Sequence, residues 1–298
     1  MKSFPILCTL FCSIISYSQE TNYIKFYYPY INQAEYFIVK NNFPKALLCY
    51  QKAFEKVTHC FAKDEYNALL CSILANRKES NYYMERLALK GVKLDFLEKN
   101  MVIKKKFLTN DKRNKYKECY KERSSFDSIL IMKLQKLEKL DQDIRSPNHL
   151  HMSNIWKTDS SNAKSLLDII YDQGFPSEEL IGYEGILPNE NLYSLIIIHQ
   201  NRLSGYFNFS TVLLDAVRQG RLLPNTALLL MFFQDEMDSI GFSYTSATKN
   251  IKGTINSQLI DKARIDWGIA PVNEYAQKIN FYNHANFEFN NKKLSIEH

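Results

Sequence analysis

The segment NNFPKALLCYQKAF, residues 41–54, decides the fold of this 298-residue chain. Its small residues Ala46 and Ala53 and its large residues Tyr50 and Phe54 recur at steps of three and four, as on one face of an α-helix. Small side chains on such a face let a neighbouring helix come close, and large ones fill the space beside them. The segment therefore predicts a helix that packs against other helices.

The same segment resembles the second helix of a tetratricopeptide repeat, a helix–turn–helix unit of about 34 residues. The matching positions are Phe43, Ala46, Leu47, Tyr50, Ala53 and Phe54, with Ala34 in the helix before. A weaker second unit covers residues 63–91, where Asn76 stands at a usual glycine and Gly91 ends the last helix. A plain pair of helical hairpins is the alternative. Two repeats are fewer than the three or so that are stable alone, so we expect residues 24–92 to pack against the C-terminal part of the chain.

The chain after the repeats also has helical periodicity. Residues 93–125 form a basic connecting region with eleven Lys or Arg against five Asp or Glu, which we interpret as a solvated face rather than an anion-binding one. Residues 115–145 are predicted to form one long helix. Further helices are predicted at 163–173, capped by Ser160 or Ser161, at 191–202, at 207–219, from Pro224 to Gly241, and after Pro271. Residues 242–257 form a polar excursion with room for a short hairpin. The predicted fold is all-α, with a repeat segment packed on a helical domain at 126–282 and a tail at 283–298.

The C-terminal half resembles an uncharacterised bacterial domain family. The resemblance spans roughly residues 126–280 and is carried by Asp141, Gln142, Arg145, Gly174, Pro176, Gly182, His199, Asp235 and Tyr244. The family usually has Arg after the aspartate and a Tyr-Gly-Thr segment further on. Here Glu236 and the segment 242–246, FSYTS, stand instead. If the family residues form a polar site, this chain lacks part of it. The resemblance implies a helical fold and no known activity.

His199 is the main candidate for chemistry. It follows Leu192, Leu195 and Ile196 at helical spacing, which places it toward an apolar face where an imidazole needs a partner. Asp235 would orient it as a general base, and Tyr244 would complete the cluster. A core histidine joining helices is the structural alternative.

Other polar residues carry weaker signals. Asp141 and Arg145 lie four apart, which predicts a structural ion pair or a pocket arginine. His149 and His151 lack a third spaced ligand, so no metal is predicted. The usual nucleophile, zinc-protease, P-loop and dinucleotide motifs are absent from the sequence. No cofactor is expected.

The first residues predict export. Lys2 precedes an apolar run from Phe4 to Ile15, and Ser16 and Ser18 occupy the positions that a signal peptidase reads, so residues 1–18 are predicted as a signal peptide. We expect a periplasmic or secreted protein without a transmembrane helix. Its remaining cysteines are Cys49, Cys60, Cys71 and Cys119. Buried thiols are favoured over a disulfide, whose pairing stays open.

The leading functional interpretation is a protein or peptide interaction module of the cell envelope, because stacked helical repeats form a concave binding groove. Candidate groove contacts are Tyr36, Lys40, Asn67 and Arg77. The alternative is an enzyme or small-ligand-binding domain centred on His199 and Asp235. Nucleic acid is not expected as a partner, and the oligomeric state stays open.

Overall fold

The computed structural model of the protein describes residues 22–123, 125–146, 152–183, 192–202, 207–231, 257–279 and 287. Within these ranges the chain forms sixteen helices and no β-strand, so the predicted all-α fold is confirmed. The helices are α1 (Tyr23–Phe26), α2 (Tyr28–Val39), α3 (Phe43–Phe54), α4 (Ala62–Leu74), α5 (Ser80–Leu89), α6 (Leu94–Glu98), α7 (Met101–Lys106), α8 (Asn110–Lys121), α9 (Ser128–Asp143), α10 (Met152–Gln173), α11 (Glu178–Ile181), α12 (Ser194–Arg202), α13 (Ser210–Arg218), α14 (Pro224–Met231), α15 (Ser257–Asp266) and α16 (Val272–Ile279).

Helices α2 to α5 form two successive hairpins, α2 with α3 and α4 with α5. The first helix of each hairpin is followed by an asparagine with left-handed backbone, Asn41 at φ 54° and Asn76 at φ 52°. In both turns the next N–H donates to the carbonyl five residues earlier, which satisfies an open carbonyl at the helix end. Asparagine tolerates this backbone better than most residues with a side chain. One turn geometry therefore recurs at positions 41 and 76.

The first helix of the second hairpin, α4, has almost no exposed surface. Its residues from Ala62 to Ser72 are all buried. Part of that cover comes from far along the chain, since both carboxylate oxygens of Glu178 accept from the backbone N–H of Ala62, at 2.9 and 3.1 Å. The C-terminal segments also contact α2, where Tyr28 donates to the carbonyl of Leu222 at 3.2 Å. The surface that a free repeat would offer to a partner is thus largely occupied by this chain itself.

A buried ionic cluster fastens α16 to the hairpins. We name it the Glu35 cluster: Glu35, Lys63, Asp64 and Lys278. Glu35 lies 2.9 Å from the ammonium of Lys63 and 2.7 Å from that of Lys278, and Lys63 lies 2.7 Å from Asp64. Burial alone would raise the pKa of Glu35, but the two ammonium groups hold it below its usual value. A buried pair of this kind is costly to break from one side, so it ties the two ends of the fold together.

The predicted long helix over 115–145 is wrong, because α8 ends at Lys121 and α9 begins at Ser128. Asp127 caps α9 by accepting from the backbone N–H of Leu130 at 2.8 Å. The ring of Phe126 lies against Gly91 and Gly182, where an added Cβ would come within 2.8 and 2.7 Å of it. These long-range contacts draw the chain out of the helix, and local periodicity does not reveal them.

The next helix, α10, begins at Met152, well before the predicted start at the serine caps. Ser160 and Ser161 lie inside the helix. The neighbouring Asn162 side chain donates to the carbonyl of Leu137 on α9 at 3.4 Å, so this polar stretch packs against α9 instead of beginning a helix. Buried Ile155 and Ala163 continue the apolar stripe through this region.

The remaining predictions have mixed outcomes. Predicted helices are confirmed at α12, α13, α14 and α16, although the predicted extension of α14 to Gly241 lies outside the described residues, as do most of the excursion at 242–257 and the whole of residues 1–18. The connecting region forms α6, α7 and α8 and packs on α4 and α5, which the sequence did not predict. None of the described helices combines the length and hydropathy required to span a bilayer.

Candidate functional site

Ionisable side chains from α9, from the turn after it, from α10 and from α12 meet at one point in the C-terminal half. We name this group the polar cluster: Asp141, Arg145, Asp159 and His199. Asp141 continues the buried stripe of α9 that also contains Leu134. Helical periodicity thus turns Asp141 inward, and the structure supplies it with partners instead of water, as a buried carboxylate requires.

Arg145 joins the two carboxylates. One terminal nitrogen, Nη1, donates to Asp141 Oδ1 at 2.9 Å and to the Asp141 carbonyl at 2.8 Å. The other, Nη2, donates to both oxygens of Asp159, at 2.7 and 2.8 Å. The planar fork of a guanidinium suits such two-sided pairing, which a lysine cannot reproduce. Arg145 therefore fixes Asp141 relative to α10.

His199 completes the cluster from α12. Its Nδ1 lies 2.9 and 3.0 Å from the two oxygens of Asp141, and Gln142 donates to the same carboxylate at 2.7 Å. A carboxylate only accepts hydrogen bonds, so the shared proton sits on Nδ1 of His199. In the neutral imidazole this leaves a lone pair on Nε2, the nitrogen on the far side of the ring from Asp141.

Exposure differs sharply within the cluster. The side chains of Asp141 and Asp159 are 0% and 1% exposed, whereas those of Arg145 and His199 are 21% and 17% exposed. The carboxylates are thus fixed inside, while the His199 side chain is partly exposed. Carboxylate-oriented histidines of this kind serve as proton acceptors in enzymes.

Two carboxylates and an imidazole are also metal-ligand types. The ligand atoms of Asp141, Asp159 and His199 lie within 4.8 Å of one another. However, the guanidinium of Arg145 already bridges the two carboxylates and supplies the positive charge that a cation would bring. A metal would have to displace it, so we assign no metal to this cluster.

The structure brings His199 to the Asp141–Arg145 pair, which the sequence analysis had nominated apart from it. Asp141 makes the contact to His199 that was predicted for Asp235. Asp235 and Tyr244, like His149 and His151, lie outside the described residues. Asp159 was not predicted as a site residue, because the neighbouring Ser160 and Ser161 suggested the start of a helix.

The predicted groove residues lie in different environments. Asn67 is completely buried, so it does not face a partner. Arg77 is exposed in the turn after α4. Tyr36 is half-buried, and the Lys40 ammonium lies 5.4 Å from the centre of its ring. Asn67 therefore cannot share an exposed surface with the other three positions.

All four cysteines in the described part of the chain are free and buried. Burial raises the pKa of the Cys60 thiol to about 12, and Glu65 adds to the effect, so this thiol stays protonated and unreactive. The thiols are therefore packing groups, as the sequence favoured.

Comparison of the chain with family models, with curated proteins and with solved structures finds no match. Its function must be argued from the chain's own residues.

Proposed function

We propose that the C-terminal helices form a small-molecule site in which His199 exchanges a proton with the bound ligand. The observation that carries this proposal is the contact of Asp141 with Nδ1 of His199, at 2.9 Å from a carboxylate that has no exposed surface. Such a contact orients the ring and sets its tautomer.

The wider cluster supports the same role. Arg145 and Gln142 both donate to Asp141, so this carboxylate stays in place whether or not His199 carries a second proton. A purely structural histidine would be expected to use both ring nitrogens inside the protein. Partial exposure of His199 instead leaves its ring within reach of a ligand.

A thermal-shift screen of the whole protein against a library of small metabolites tests this proposal. We expect at least one compound to raise the melting temperature of the wild type and to lose that effect in His199→Asn, because binding to the folded state stabilises it. Asp215→Asn, a change in an exposed pair with Arg218, should keep the shift. Compounds that stabilise His199→Asn as much as wild type, or no stabilising compound at all, would refute it.

A second candidate function is a protein or peptide interaction module. The predicted signal peptide would export it from the cytoplasm. What supports it is the outer surface of the hairpins, since Leu48 on α3 and Tyr82 on α5 are 57% and 56% exposed at comparable places in the two hairpins. Exposed large apolar side chains are typical of partner contacts.

Affinity capture from an envelope extract tests the module. A specific partner should be retained by the wild type and lost in a Leu48→Glu, Tyr82→Glu double variant. Equal retention by an Asn81→Glu control and by the double variant would count against this function.

A further inference from the structure

A cleft of about 190 Å³ opens where the hairpins meet the C-terminal half. We name it the junction cleft. This volume lies below the roughly 300–1,000 Å³ of pockets for drug-sized ligands, so the occupant that fits it is a small metabolite. Its walls come from α5, from α11 and from the loop before α9. None of its lining residues belongs to the polar cluster, so it is a separate site.

One wall of the junction cleft is apolar. It is made by Leu89, whose side chain is 43% exposed, and by Phe126. Phe126 is held by its contacts with Gly91 and Gly182, both of which have left-handed backbone at φ 78° and 82°. The ring packs so closely on both glycines that any side chain there would collide with it. The position of Phe126 in this wall is therefore fixed.

Two charged groups at the cleft are already used by the protein. Glu178 accepts from the N–H of Ala62 and lies 3.4 Å from the Lys90 ammonium. Lys90 also donates to the carbonyl of Cys60. With these partners, Glu178 and Lys90 close the base of the cleft and are not free for a ligand.

Two other charged groups retain binding capacity. Arg86 donates through Nε to Glu65 at 2.5 Å, and in the described ranges its two terminal nitrogens have no hydrogen-bond partner. Glu179 uses one oxygen for His59 at 2.8 Å and is 57% exposed. The hydrogen bond from His59 holds the pKa of Glu179 below its usual value, so the carboxylate is ionised at neutral pH. The cleft thus offers a guanidinium fork, a carboxylate and an apolar wall.

We propose that the junction cleft binds a free α-amino acid with an apolar side chain. Its carboxylate pairs with the terminal nitrogens of Arg86, its ammonium pairs with Glu179, and its side chain packs on Leu89 and Phe126. A guanidinium fork matches a carboxylate by two parallel hydrogen bonds. A few placed polar groups beside apolar surface are typical of small-ligand sites.

Isothermal titration calorimetry of the whole protein with L-leucine tests the proposal. Two analogues divide its charges: 4-methylpentanoate lacks the amine, and 3-methylbutylamine lacks the carboxylate. We expect leucine to bind saturably with a Kd below about 10 mM, and each analogue to have a Kd at least about tenfold higher. No saturable leucine binding, or analogues as tight as leucine, would overturn the proposal.

Two variants test which protein group binds the ligand ammonium and which binds the ligand carboxylate. Glu179→Gln should weaken leucine about tenfold and leave 4-methylpentanoate unchanged, because that analogue has no ammonium. Arg86→Lys keeps a positive charge beside Glu65 and should weaken leucine and 4-methylpentanoate alike, since the fork is lost. Glu118→Gln, at an exposed site on α8, is the control and should bind leucine as wild type does. The assignment would be contradicted if either cleft variant weakened 4-methylpentanoate and 3-methylbutylamine equally. It would also be contradicted if Glu118→Gln lost leucine binding.

The junction cleft is independent of the polar cluster. His199→Asn should leave leucine binding unchanged, so a failed metabolite screen at His199 and a failed leucine titration are separate outcomes.

Discussion

Replacing Lys278 by methionine tests whether the end of the chain and the hairpins are one structural unit. The Lys278 side chain is 3% exposed, and its ammonium lies 2.7 Å from Glu35 and 3.3 Å from the Asn32 side-chain oxygen. Breaking a buried pair from one side costs about 3–5 kcal/mol, because the remaining charge stays in a dry site. Glu35 keeps Lys63 at 2.9 Å, so we expect the lower end, about 3 kcal/mol.

Urea unfolding followed by circular dichroism measures this loss. Lys262→Met, an exposed lysine on the neighbouring helix α15, is the matched control and should change the free energy of unfolding by less than about 0.5 kcal/mol. The Glu35→Gln, Lys278→Met double variant should be less destabilised than the sum of the single changes, since the two groups are coupled. A loss below about 1 kcal/mol in Lys278→Met would refute the reasoning, because a buried pair would then contribute no more than an exposed one.

Three further predictions concern stability. Asp127→Ala removes the cap of α9 and should cost about 1 kcal/mol in urea unfolding, whereas Asp127→Asn should retain most of it. Gly182→Ala strains a left-handed backbone and drives a Cβ to 2.7 Å from the Phe126 ring, so we expect a loss above about 1 kcal/mol; a neutral effect would contradict the described contact. Because the folded pKa of Glu35 is lowered, its contribution is fully present above the unfolded value of about 4.3 and is lost as pH falls through the folded value. Lys278→Met should make the acid side of the stability–pH curve shallower, and an unchanged slope would contradict this.

The helical hairpins could be predicted from the sequence because their signal is local. Ala46, Tyr50 and Ala53 are completely buried on one face of α3, as their spacing predicts. Asn76 has left-handed backbone at φ 52°, a conformation that commonly ends a helix. Local sequence patterns of this kind predict both the helix and the residue at which it ends.

The cover over α4 and the break between α8 and α9 could not be predicted. Glu178 reaches Ala62 across more than a hundred residues, and the ring of Phe126 is held by glycines on two distant turns. Nothing in a window of neighbouring residues reports such contacts. The same limit led to Asn67 being nominated as a groove residue although it is buried.

The candidate site was predictable in part. His199 stood out as a polar residue on an apolar helix face, and Asp141 stood out as the predicted ion-pair partner of Arg145 four residues later. The sequence analysis paired His199 with Asp235 instead, because Asp235 follows an apolar run. Asp159 is buried and pairs with Arg145, and only the packing of α10 against α9 brings their side chains within 2.7 Å. The residue types could be read from the sequence, and their pairing required the fold.

The most direct test of the proposed function is the protonation state of the His199 ring nitrogens, measured by long-range ¹H–¹⁵N NMR on histidine-labelled protein at about pH 8.5, roughly two units above an ordinary histidine pKa. We expect a proton on Nδ1 and none on Nε2, and a change in this pattern in Asp141→Asn. A proton on Nε2 alone, or a spectrum that Asp141→Asn leaves unchanged, would contradict the claim that Asp141 prepares His199 as a proton acceptor.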